Sequence, residues 1–112
     1  MVWQKSMDLV LKIYKLTENF PKSELYGLTS QIKRCAVSIP SNIAEGKLRK
    51  SKKEFIQFLR ISYGSGAELE TQIEISKRLQ FTDIKNYEKV DVLLLEIMKI
   101  LNTLLKNLKD PK

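Results

Sequence analysis

Apolar residues recur at helical spacing along most of the chain, and proline, glycine and polar clusters divide that pattern into four segments. The first covers residues 6–18, where Val10, Ile13, Tyr14 and Leu16 mark the inner face. Asn19, Phe20 and Pro21 end it, because Pro21 biases Phe20 away from helical backbone angles. The second is expected over 23–45, with Ser23 a candidate cap and Leu28, Ile32, Cys35, Ile39 and Ile43 as its apolar rail. Pro40 lies inside that segment and withdraws a donor from the carbonyl of Ala36. The expectation is a kink or short break near Ser38, with Ser38 or Ser41 recapturing the freed groups. Gly46 is placed to end the helix at positive φ.

The third segment is expected over 51–79. Ser51 with Glu54 has capping-box spacing, and Phe55, Phe58, Leu59, Ser62, Gly66, Leu69, Ile73 and Ser76 follow one stripe. Thr82 or Asp83 can cap the last segment, which runs to about Leu108, with Pro111 beyond it. Val90, Leu94, Ile97, Leu101, Leu104 and Leu108 form its strip, and Leu93, Ile100 and Leu105 widen it. A surface helix needs an apolar arc of only about 100°. Two readings account for the excess, a deeply packed central helix or burial by a second copy. Self-association is the expectation.

Polar residues in the middle of the chain share the same spacing. Gln31, Arg34, Ser38, Asn42 and Glu45 recur three or four apart, and Ser62, Ser65, Glu68 and Gln72 match them in the third segment. Gly64 and Gly66 flank Ser65. Each glycine costs a helix interior roughly 1 kcal/mol, so the pair predicts a close backbone approach or a bend. Arg34 is expected to pair with Glu68 or Glu45, making Gln31, Arg34, Ser38, Asn42, Glu45, Ser65 and Glu68 a structural polar network. An anion pocket at Arg34 is the functional alternative.

Composition removes most reaction chemistry from this picture. At 112 residues the chain is read as one domain, residues 1–112. It has no histidine, the commonest metal ligand and neutral-pH base. Glu45, Glu68, Glu70 and Glu74 invite comparison with a di-metal bundle, but the Glu-x-x-His pairs that such a site needs are missing. No glycine loop ends in Gly-Lys-Ser/Thr, and lone Cys35 sits on the apolar rail. A non-enzymatic protein without cofactor or metal is expected. One thiol, no signal-like start and no apolar run near the roughly 18 residues of a membrane span point to the cytoplasm and away from the membrane.

Charge supplies the functional candidate. Lys47, Arg49, Lys50, Lys52 and Lys53 crowd eight residues at the junction of the second and third segments and account for five of the formal +7 charges. Arg60 follows two turns later. A helix start offers free amides and a favourable dipole end for phosphate. Such contacts position a nucleic-acid backbone without reading bases. The tyrosines and Trp3 do not interleave with the block, which counts against a single-strand stacking platform. A solvated lysine-rich loop, or a site for an acidic protein, are the competing readings.

Two motifs resemble a known family. Ser38-Ile39-Pro40-Ser41-Asn42-Ile43-Ala44-Glu45-Gly46 and, downstream, Gly64-Ser65-Gly66-Ala67-Glu68-Leu69 are similar to the proteins encoded by intervening sequences of bacterial 23S ribosomal RNA genes. Trp3 and Lys5 ahead of an apolar helix agree, so the likeness spans nearly the whole chain. The resemblance implies an all-α, antiparallel up-and-down four-helix bundle that assembles as a homo-oligomer, typically a pentamer. Ribosomal RNA or another nucleic acid is the implied partner, with a protein partner as the alternative. A similar bundle is the accessory protein of diversity-generating retroelements. No catalytic residue comes with the resemblance. Ser62-Tyr63 stands where relatives often carry alanine and arginine, which removes a positive charge beside the glycines.

Overall fold

The computed structural model describes residues 1–108, so Pro111 lies outside the described residues. Four helices, α1 (Val2–Thr17), α2 (Leu28–Lys47), α3 (Lys52–Arg78) and α4 (Glu88–Asn107), run alternately up and down. Two short 3₁₀ turns, Lys22–Glu24 and Ile84–Tyr87, precede α2 and α4. The result is a four-helix bundle measuring 48 × 24 × 21 Å. α2 and α3 form the most extensive pair, while α1 packs on α2 and α4, and α4 on α3. One end therefore carries the α2–α3 junction together with the start of α1 and the end of α4. The other carries the two longer connections.

The expected apolar rails meet in one core, except that Tyr14, read on the inner face of α1, is exposed and Leu9 is buried in the rail instead. Leu9 and Ile13 of α1, Ile32, Ile39 and Ile43 of α2, Leu59 and Leu69 of α3, and Ile97 and Leu101 of α4 are fully buried. Each such side chain contributes about 1.5–3 kcal/mol relative to exposure. At the end opposite the junction, the ring of Phe20 packs edge-on against Phe81 at 5.3 Å and beside Tyr87 at 6.3 Å. The buried Tyr87 hydroxyl shares a 2.9 Å hydrogen bond with Ser76.

Local signals set several boundaries differently from the sequence reading. α1 begins at Val2, and Ser6, the expected start, lies a turn inside it, facing the core and donating to the Val2 carbonyl at 2.7 Å. Ser23 lies in the first 3₁₀ turn and does not cap α2. That helix starts after Gly27, whose backbone lies outside the helical region, and a Glu24 carboxylate oxygen accepts from the Leu28 amide at 3.3 Å. Pro40 leaves α2 unbroken. Asn42 supplies the nearby side-chain bonds, donating to the Ser38 carbonyl at 2.8 Å and to its hydroxyl at 2.9 Å. Asp83 caps the second 3₁₀ turn, accepting from the Lys85 amide, and α4 follows directly.

Gly46 is not a positive-φ cap. It is buried inside α2, where an added Cβ would stand 2.9 Å from Phe58 Cβ and 3.1 Å from a Phe55 ring carbon. Gly66 likewise admits a neighbour, since a Cβ there would run into the Met98 thioether of α4. Gly64 is open on the surface. The left-handed residue is Gln80, at φ 57° after α3. Its amide bonds the Lys77 carbonyl at 3.0 Å, and the Phe81 amide bonds that of Ser76 at 3.1 Å, which is a Schellman ending.

The excess apolar width of α4 has a partial explanation within one chain. Leu93, Ile100, Leu104, Leu105 and Leu108 are half-buried against the molecule's own core. What stays exposed on α4 is Val92 and Leu95. The longer exposed apolar stripe is on α1, where Trp3, Met7, Leu11 and Tyr14 recur at helical spacing and Leu11 is 68% accessible.

Candidate nucleic-acid interface

The basic junction is built by the cap that starts α3. Ser51 is extended, and its hydroxyl accepts from the Glu54 amide at 3.1 Å. The Glu54 carboxylate lies 3.4 Å from that hydroxyl. This fixes the first turn of a 27-residue helix and leaves Lys52 and Lys53 exposed on it. Lys47 and Lys50 are exposed on the approach, and none of these four lysines forms an ion pair among the described residues. Arg49 is already engaged. It bonds Glu45 at 2.6 Å and lies over the Phe58 ring at 4.9 Å. Arg60 is exposed seven residues after Lys53, about 10 Å along the same face of α3. Gly64 continues that face one turn further and keeps it bare.

The expected polar network divides. Ser38 and Ser65 share a 2.8 Å hydrogen bond across α2 and α3, and Asn42 completes that cluster. Ser62, which matched the polar rail by spacing, makes a second cross-link by donating to the Ile39 carbonyl at 2.9 Å. Arg34 pairs with neither proposed carboxylate. Glu45 lies one turn from Arg49 and bonds it instead. Arg34 and Glu68 are exposed, and with Gln31, Ser38, Ser65 and Gln72 they line an open groove of about 360 Å³ between α2 and α3. Cys35 lies at its base, where burial first and then the Glu68 carboxylate push the thiol above its usual range. That shift disfavours the thiolate, so the environment does not activate the sulfur. Glu74, one of the four glutamates in the di-metal comparison, accepts from Arg78 at 3.0 Å.

A second cationic cluster escapes the sequence reading. Lys12 and Lys15 near the end of α1 meet Lys85 and Lys89 around the start of α4, lining an open cleft of about 380 Å³. The two pairs lie 70 positions apart, from Lys15 to Lys85, so no run of charge betrays them.

The bundle and its motif placement find their counterpart in a sequence family. Residues 1–103 match the family described as 23S rRNA-intervening sequence protein. The chain belongs to that family. A crystal structure from Bacteroides thetaiotaomicron, of a protein of unknown function in the S23 ribosomal protein family, has the same fold, with a TM-score of 0.84 and 28% identity. The match covers 95% of this chain and 99% of that one. No curated protein matches the chain. Within the family frame, the Ser38-to-Gly46 motif plays two roles. Ser38, held by Asn42 within α2, cross-links α2 to α3 through Ser65, and Gly46 lets the two helices close just before the junction. Among the described residues, no helix is long and apolar enough to cross a membrane.

Proposed function

We propose that the protein is a non-enzymatic bundle that binds structured RNA or DNA through the α2–α3 junction. One observation carries the reading: four unpaired, exposed lysines gather at the amide-bearing start of the longest helix. Lys47, Lys50, Lys52 and Lys53 supply mobile charges, Arg60 extends them along α3, and the α3 dipole adds to their field. The interaction is electrostatic and reads backbone shape more than base identity. Self-association repeats the junction and raises affinity through multivalency. The α1 stripe of Trp3, Met7, Leu11 and Tyr14 is the face best suited to it, and a pentamer is the stoichiometry that the sequence resemblance implies.

The test is binding of a structured RNA at 50 and 200 mM salt by wild type and by a Lys50→Gln/Lys52→Gln/Lys53→Gln variant. We expect the variant to lose about 2–3 from the slope of log affinity against log salt. Unchanged affinity and slope in a folded variant would sink the proposed footprint. The same α1 stripe favours a second reading, a protein-assembly module with no nucleic-acid role. That reading predicts a partner held at high salt with no nucleic acid carried along.

A further inference from the structure

We propose that the four-lysine cleft at the opposite end of the bundle is a separate binding site for phosphoryl-bearing anions. α1 brings Lys12 and Lys15, and the 3₁₀ turn and first turn of α4 bring Lys85 and Lys89. Glu88 is the one carboxylate on the lining, so the cleft carries four cations against one anion. None of the four ammonium groups is ion-paired among the described residues. Bringing four like charges to one concavity opposes folding unless a counter-charge joins them.

The helix geometry sharpens this. The amino end of a helix favours acidic side chains, because its free amides already present partial positive charge. Lys85 and Lys89 stand there against that preference. Asp91, the other acid of the first turn of α4, is drawn away to Lys77 at 2.6 Å. The dipole of α4 and the lysines therefore act together on whatever enters, and the apolar wall of Leu16 and Val90 limits solvent screening on one side. The charge balance points to the ligand class. Four ammonium groups against one carboxylate favour a multiply charged anion over a single carboxylate. Lysine binds phosphate as a point charge, and several lysines can share the oxygens of one phosphoryl group or of a chain of them.

The cleft is not an extension of the basic junction. The 20-residue α2 spans about 30 Å between the two ends. Either a nucleic-acid backbone or a free oligophosphate presents the required chemistry, and the experiment separates them. Tripolyphosphate and a structured RNA are titrated into wild type, a Lys15→Gln/Lys89→Gln variant and the junction triple variant, with calorimetry at low salt and helicity checked by circular dichroism. Lys15 and Lys89 are exposed, so the cleft variant retains the core.

We expect tripolyphosphate affinity to fall about tenfold in the cleft variant and to hold in the junction variant. A loss of about 2 in the RNA salt slope of the cleft variant identifies nucleic acid as the source. A fall in tripolyphosphate affinity with RNA binding unmoved supports the site with a free oligophosphate as its ligand. Equal tripolyphosphate binding by wild type and cleft variant, or tighter binding of an acidic peptide than of tripolyphosphate, overturns the proposal. RNA binding unmoved by the junction variant counts against the junction alone, so the two ideas fail separately.

Discussion

The α2–α3 pair and the α1–α4 pair are closed by different means. α2 and α3 meet with almost no tolerance. Gly46 sits against Phe58 and Phe55, and two hydroxyl cross-links, Ser38 to Ser65 and Ser62 to the Ile39 carbonyl, fix their register. α1 and α4 share apolar core contacts, one surface ion pair between Lys5 and Glu96 at 3.1 Å, and an open lysine cleft. The pair that carries the basic junction is thus held by shape and directed hydrogen bonds. The other is held by non-directional burial. A functional surface gains precision when it stands on the more constrained element.

Gly46→Ala strikes that difference hardest. Phe58 Cβ is close to the backbone and cannot swing aside, so α2 and α3 must separate. A net loss of about 1–3 kcal/mol is expected in chemical denaturation, even after the helix-propensity gain of alanine. No loss would mean that the helices are not closed so tightly. Ser62→Ala should cost about 1 kcal/mol, because the Ile39 carbonyl loses a buried donor. Gly64→Ala provides the contrast within the same helix. Nothing lies within 4 Å of its added Cβ, so stability should rise by roughly 1 kcal/mol. The smallest effect belongs to the other pair. A double-mutant cycle on Lys5 and Glu96 should give a coupling of about 0.2–0.5 kcal/mol, reduced by salt. A coupling above 1 kcal/mol would erase the distinction between the two pairs.

The parts legible in the sequence were those written locally. Ser51 with Glu54 announced the start of α3, and the apolar period of α4 announced its carboxyl end and its inner face, although its expected cap at Asp83 belongs to the 3₁₀ turn before it. The basic junction was visible because its charges are adjacent in the chain. Features decided across space were misread or invisible. Gly46 occupies the position of a helix-ending glycine, yet its role is set by Phe58 from the next helix. Arg34 was matched to carboxylates by spacing, but Glu45 has a nearer suitor in Arg49. The convergence of Lys12, Lys15, Lys85 and Lys89 depends on α1 and α4 lying side by side, which no local pattern encodes.

The alternating course of the helices has a practical corollary. An even number of antiparallel rods returns the polypeptide to the end where it set out, so Val2 and Asn107 both open beside the lysine-rich turn between α2 and α3. A fluorophore or affinity handle attached at Val2 or Asn107 will therefore crowd that turn, whereas the face around Phe20 and Phe81 stays remote from it.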